Sequence, residues 1–344
     1  AGNGFVVGVS GNALHIFRPG PPEGWALSQV IGVHTGWEFL ANSNYYPTGL
    51  AAGGDWIVLR VSFTDAGSNS QWSETWAYQQ DLEGRFRFVQ KLALPQGLQF
   101  MDSQFDGPMR AKFFDDKFHL ALVERPTATG SGGTRIGIGV YELDPAGHWI
   151  FGHAVMSRET GDSMLNFDVD DNTVVIAAAP HYAWPPPPGN VYVMRRIGVS
   201  DSYVEEAMIT PPDATGSPAA MACILDGDSF YLGCPRDTRR SAGTGYAYRV
   251  GSVSKYTRQV DGAWTLESEY LGTENNGNIG ALLFKRGDDI VAVKGGSLAL
   301  SFPPNGSLSS GPTEEYSLPW VGGTWQDSVP DAGYSGAGSW YVGA

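Results

Sequence analysis

Met164-Leu165-Asn166-Phe167-Asp168-Val169, the tight polar run Asp170-Asp171-Asn172, and the apolar run Thr173 to Ala179 decide the fold. Two short runs rich in apolar and β-branched residues flank three turn-forming residues, which is the signature of a β-hairpin. Working outward, Gly189 to Arg195 gives a third strand and Tyr203 to Ile209 a fourth. The four together make one antiparallel unit of about 40–60 residues, the size of a propeller blade.

The unit recurs along the chain. Second strands are expected to begin near Phe5, Trp56, Phe118, Val174, Phe230 and Ile290, at spacings of 51, 62, 56, 56 and 60 residues. The interval from Ile290 through the C-terminus and on to Phe5 is another 59. The sequence therefore predicts a single domain over 1–344, an all-β, six-bladed β-propeller with four antiparallel strands per blade. The blades are expected near 1–31 plus 338–344, 48–94, 108–156, 163–209, 218–271 and 278–318. The N-terminal residues run straight into a second-type strand, and Trp340-Tyr341-Val342 reads as a first-type strand. The last strand is thus expected to complete the first blade and remove a free sheet edge.

Each expected fourth strand opens with an aromatic residue: Trp25, Phe86, Trp149, Tyr203, Trp264 and Tyr316. An outermost strand needs a large apolar residue against its neighbour, so these six are assigned to packing. Cys223 and Cys234 lie on opposite arms of a hairpin turning at Asp226-Gly227-Asp228. A tight turn sets Cys223 opposite a residue near 230–232. This favours two buried thiols, with a disulfide as the alternative.

Two units carry a more specific pattern: Val174-Val175-Ile176-Ala177-Ala178-Ala179-Pro180 with Gly189-Asn190-Val191-Tyr192-Val193, and Phe230-Tyr231-Leu232-Gly233-Cys234-Pro235 with Gly245-Tyr246-Ala247-Tyr248. This pattern resembles the FG-GAP repeat, the blade of integrin α-like propellers. The resemblance implies adhesion or binding rather than catalysis. Such repeats often hold calcium in the turn between the first two strands. Here those turns carry Asp55, Asp115 with Asp116, Asp170 with Asp171, Asp226 with Asp228, and Asp288 with Asp289. They are too short to gather the six to eight oxygens calcium needs, so no cofactor and no metal site is expected. Arg286-Gly287-Asp288 is likewise read as a turn.

The formal charge of −14, with 36 acidic against 22 basic residues, argues against nucleic acid as a partner. The chain has 46 Gly, 22 Pro and only 17% charged residues, which excludes a coiled coil, a helical bundle and a disordered chain. It shows no apolar run of membrane-spanning length, so no membrane insertion is expected. With neither an initiator Met nor a signal peptide, it reads as a processed chain or an excised domain.

No pattern of reactive residues stands out. The six His lack metal-like spacing, and neither a nucleophile elbow nor a phosphate loop is present. The expected function is therefore non-catalytic: a surface-exposed propeller mediating protein–protein binding, adhesion or assembly, as an extracellular filament or virion component. A glycan-binding, lectin-like propeller and a glycan-active hydrolase are the alternatives. Nearly all the long segments fall at one end of the blades, where strands two and three and successive blades connect. They carry Trp37, Tyr45, Tyr46, Trp72, Tyr182, Trp184 and Trp325, together with the basic cluster Arg236, Arg239 and Arg240. Aromatic residues in loops either stack on partners and sugars or fold back as small satellite cores. The arginines either meet an anionic glycan or acidic subunit, or pair with nearby acids. A protein subunit or glycan on this long-loop face is the expected partner, at an extracellular, cell-surface or virion-surface location.

Overall fold

The structure is a computed structural model. It describes residues 5–10, 13–20, 24–32, 43–65, 71–100, 111–124, 135–158, 162–180, 189–198, 202–211, 222–235, 237, 239, 250–274, 277–280, 282–294, 298–303, 306–317 and 340–343. The chain is all-β and its sheets are β-propeller blades. The first blade joins β1 (Phe5–Ser10), β2 (Ala13–Gly20) and β3 (Gly24–Gly32) to the last strand, β25 (Trp340–Gly343), in the order β25-β1-β2-β3. The second blade is β4 (Ser43–Gly53), β5 (Trp56–Asp65), β6 (Gln71–Gln80) and β7 (Phe86–Lys91).

Among the described residues, the expected count of six four-stranded blades is corrected to five. After the second blade, the chain forms a five-stranded sheet from β8 (Leu98–Phe100), β9 (Ala111–Phe114), β10 (Lys117–Glu124), β11 (Arg135–Leu143) and β12 (Trp149–Met156). Its order is β12-β11-β10-β8, with β9 also paired to β10. The cause is the short β9. Its four residues pair only with Lys117–Leu120, leaving the rest of β10 open to a second partner. The 62-residue spacing supplies the additional chain for β8.

The remaining three blades follow the expected form. The third is β13 (Asp162–Val169), β14 (Thr173–Pro180), β15 (Asn190–Arg196) and β16 (Tyr203–Ile209). The fourth is β17 (Ala222–Asp226), β18 (Ser229–Cys234), β19 (Ser252–Arg258) and β20 (Trp264–Leu271). The fifth is β21 (Leu283–Arg286), β22 (Asp289–Lys294), β23 (Leu298–Phe302) and β24 (Glu314–Ser317).

The first turns are as tight as the sequence suggests. Asp226 faces Ser229 across Gly227-Asp228, and Gly227 sits at φ 62, where a side chain would be strained. Two of the turn carboxylates are used within the fold. Asp170 Oδ1 accepts the N–H groups of Asn172 at 2.9 Å and Thr173 at 2.7 Å. Lys285 pairs with Asp226 at 2.8 Å.

One regularity escapes the sequence pattern. The fourth strand carries a one-residue bulge in four of the five blades, between Gln29 and Leu27, Gln90 and Phe88, Ala207 and Glu205, and Ser268 and Leu266. A bulge turns the following side chains out of the plain alternation. In the first blade Gln29 thereby reaches the second, where Nε2 donates to the Phe86 carbonyl at 2.9 Å and Oε1 accepts the Phe86 N–H at 2.8 Å. Gln90 clasps Trp149 in the same way, at 2.8 and 2.7 Å.

The chain divides into two compact units. One comprises Ala1–Leu122, Ile138–Ala154 and Ser328–Ala344; the other comprises Val123–Gly137 and Val155–Asp327. In the first unit, the aromatic residues opening second and fourth strands meet between sheets. Phe5 packs on Phe86 at 4.9 Å between centroids, and Trp56 on Trp149 at 5.3 Å. In the second unit, Val175, Val191, Val193, Phe230, Leu232 and Trp264 share one core. Among the described residues no helix is long and apolar enough to cross a membrane.

Candidate functional site

The best-defined polar site lies in the fourth blade, where β18 ends and the connection to β19 begins. This is a long 2–3 segment of the kind expected to carry function. Its base is built around Asp237, which is 1% exposed. The Asp237 N–H donates to the Cys234 carbonyl at 3.1 Å, and its own carbonyl accepts the N–H groups of Val250 at 2.9 Å and Gly251 at 3.1 Å. One residue thus ties the outgoing and returning chain together.

The Asp237 side chain holds Arg239. Oδ1 accepts the Arg239 N–H at 2.9 Å, and Oδ2 accepts Nε at 3.0 Å and Nη2 at 2.6 Å. Arg239 Nη2 also reaches Glu269 Oε1 on β20 at 2.5 Å, and Ser254 Oγ donates to that same oxygen at 2.9 Å. Burial alone would lower the Arg239 guanidinium, but hydrogen bonds to Asp237 and Glu269, and their charges, outweigh it and raise it. Two carboxylates against one guanidinium leave the cluster with a net negative charge.

Beside it, the Cys234 thiol is pushed up to about 12, first by burial and then by the Asp237 charge, so it is no nucleophile at neutral pH. Cys223 and Cys234 are both buried and form no disulfide, and Cys223 faces Leu232. The base is closed from outside the blade by Ile279 and Gly280. Gly251 bridges Ile279, and Gly280, at φ 91, lies so close to Gly233 that a Cβ on Gly233 would sit 2.0 Å from the Gly280 carbonyl oxygen.

Of the residues read from the sequence as a binding face, Arg239 is placed, and it is engaged by Asp237 and Glu269. Its reading as a cation presented to a partner is therefore replaced by local ion pairing. Tyr45 and Tyr46 are not in a loop. They lie in β4, opposite Phe63 and Ser62. Trp72 lies in β6, opposite Phe63. The second-blade hairpin simply extends further than its apolar pattern suggests. Trp37, Tyr182, Trp184, Arg236, Arg240 and Trp325 lie outside the described residues. The Asp237–Glu269 partnership was invisible because the two acids stand far apart in sequence and nothing local links them.

A surface cleft of about 360 Å³ runs between the first and second blades, lined by Arg18, Ser28, Gln29, Glu83 and Arg85 among others. Its polar groups serve the seam: Arg18 Nη2 donates to the Gly84 carbonyl at 3.0 Å, and Ser28 Oγ to the Ile16 carbonyl at 3.1 Å. Among the described residues no group of three or more His, Cys, Asp or Glu side chains could hold a metal ion.

No protein-family model matches the chain, and no curated protein matches it. Solved structures do. A protein from Lactobacillus plantarum, determined by a structural genomics consortium, is 14% identical over 90% of this chain and 78% of its own, with a TM-score of 0.51. Sqt1 of Saccharomyces cerevisiae is 9% identical over 86% of this chain and 77% of its own, with a TM-score of 0.40. An exo-β-1,3-galactanase from Phanerochaete chrysosporium is 11% identical over 77% and 61%, with a TM-score of 0.35. The last two resemble the chain only loosely; what it shares with the Lactobacillus plantarum protein is the fold.

Proposed function

We propose that the protein is a non-catalytic binding module, a surface-exposed propeller that mediates protein–protein binding, adhesion or assembly through its long-loop end. The observation that carries this reading is the base of the 235–250 connection. There a buried aspartate fixes both ends of the segment, and its charge is spent on an arginine already shared with Glu269. Burying an ion pair costs several kcal/mol of desolvation per ion and yields little net stability. Here the pair fastens the described ends of the connection, Cys234–Asp237 and Val250–Gly251, which suits a loop used for recognition. An extracellular or virion-surface setting fits such a role.

The test is a paired substitution on this end, Trp184→Ala with Trp325→Ala. Circular dichroism and the unfolding midpoint should match the parent protein while self-assembly or adhesion falls at least tenfold. Undiminished assembly in a folded double variant would refute the assignment of the long-loop end. A glycan array on the parent protein separates the lectin reading: binding at millimolar sugar would replace a protein partner with a carbohydrate one.

A further inference from the structure

The five-stranded sheet, where the repeat departs from its own pattern, contains a buried imidazole that the binding reading does not use. His119 on β10 is 4% exposed, and among the described residues its Nδ1 has no hydrogen-bond partner. In the strand register it stands opposite Lys112 on β9. The Lys112 backbone on β9 hydrogen-bonds the imidazole, and the titratable side chains facing it are basic: Lys112 from β9, Lys117 from its own strand and His153 from β12. From β11 comes Glu142, whose Oε1 is taken up by Lys117 at 2.8 Å. The Phe114 ring lies 6.5 Å from the imidazole, with the Lys112 ammonium 5.5 Å from that ring's centroid. Neutral His119 is tolerated here. A protonated one would sit desolvated among like charges, beside a strand held by four residue pairs.

We propose that His119 is an acid-sensitive latch on β9, whose protonation releases Ala111–Phe114 from β10 and uncovers the Lys117–Leu120 edge. An uncovered edge presents unpaired backbone groups to which another strand can add. The strand's opposing anchor is apolar. Phe113 packs on Phe118 at 4.9 Å and on Trp149 at 5.9 Å, so the latch stays shut while the imidazole is neutral.

The direction follows from linkage. Burial lowers His119 from 6.5 to about 4 in the closed sheet; a hydrogen bond to the Lys112 backbone opposes it, and the charges of Lys112, Lys117 and His153 add to it. An opened β9 returns the imidazole to water and to its ordinary value. The open state therefore binds the proton first. Closure is fully favoured above 6.5 and weakens as the pH falls towards 4. Those two values make opening about 30-fold more favourable at pH 5 than at pH 7.5.

The experiment is native-state hydrogen exchange on the full chain at pH 7.5 and 5.0, read as protection factors for the β9 and β10 amides, in the parent protein and in His119→Gln. The parent should lose about 30-fold protection in β9 at pH 5 while the third blade keeps its own, and H119Q should show no such loss. Unchanged β9 protection in the parent, or the same acid loss in H119Q, overturns the proposal. Should H119Q fail to fold, an NMR titration of the parent decides. The latch requires His119 to stay neutral through pH 6.5 and to titrate together with β9 opening. An imidazole that titrates near 6.5 while β9 remains protected overturns it.

Discussion

Arg239 stands between two carboxylates, and that decides what its removal does. Asp237 is 1% exposed and Arg239 holds both of its carboxylate oxygens, so Arg239→Ala leaves a buried charge without this counter-ion. The expected loss is about 3–5 kcal/mol in urea unfolding. Arg158, whose side chain is 53% exposed and which pairs with Glu205 at 3.4 Å, is the matching control: Arg158→Ala should cost at most about 1 kcal/mol. Equal losses for the two would show that the Asp237 cluster is not the fastening described. In the sequence, three arginines within five residues stand out from an acidic chain and look like a ligand for an anion. Asp237, two residues before Arg239, was legible as a partner. Glu269, thirty residues on, was not, because a cross-strand ion pair leaves no local trace.

At the scale of the element, the fourth strand was read for its opening aromatic and little else. Phe86, Trp149 and Trp264 are indeed buried. In the first two blades, what joins one sheet to the next is the residue four places after the opening aromatic, and the bulge before it breaks the period-two alternation that a sequence reading depends on. Gln29 and Gln90 each offer one donor and one acceptor to the backbone C=O and N–H of a single residue in the neighbouring sheet, a match that only an amide provides. Gln90→Ala should therefore cost about 1–3 kcal/mol, by leaving the half-buried Trp149 peptide groups unsatisfied. Gln90→Glu should cost at least as much, because its carboxylate cannot donate to the Trp149 carbonyl. Thermal unfolding of the two variants checks this, and a Glu variant as stable as the parent would contradict the two-bond clasp. The spacing Trp25 to Gln29 and Phe86 to Gln90 was present in the sequence. The third and fourth blades have Ala207 and Ser268 at that position, so no repeating residue advertises it.

For the whole molecule, the periodicity of apolar hairpins carried the architecture, because the described core positions of the second strands are buried and mostly apolar. Val7, Ile57, Val175, Leu232 and Val291 are each at 0% exposure. The count failed where one unit is longer than the others: composition does not reveal whether added residues extend a loop or add a strand to the sheet. The two chain ends make the strongest claim at this scale. Phe5, Val6, Val7 and Gly8 of β1 pair with Gly343, Val342, Tyr341 and Trp340 of β25. Removing residues 340–344 would leave β1 as a bare edge beneath two buried side chains, Phe5 at 3% and Val7 at 0% exposure. With roughly 1 kcal/mol for each backbone hydrogen bond lost, the truncated chain should be about 4 kcal/mol less stable. It should also self-associate through the exposed edge at concentrations where the parent protein does not. The loss should be repaired in trans. A peptide spanning 338–344 offers β1 the same partner, so at high micromolar concentration it should raise the truncated chain's melting temperature and suppress its association, while leaving the parent protein unaffected. A truncated chain that melts like the parent, or one indifferent to the peptide, would mean that the first blade does not depend on the last strand.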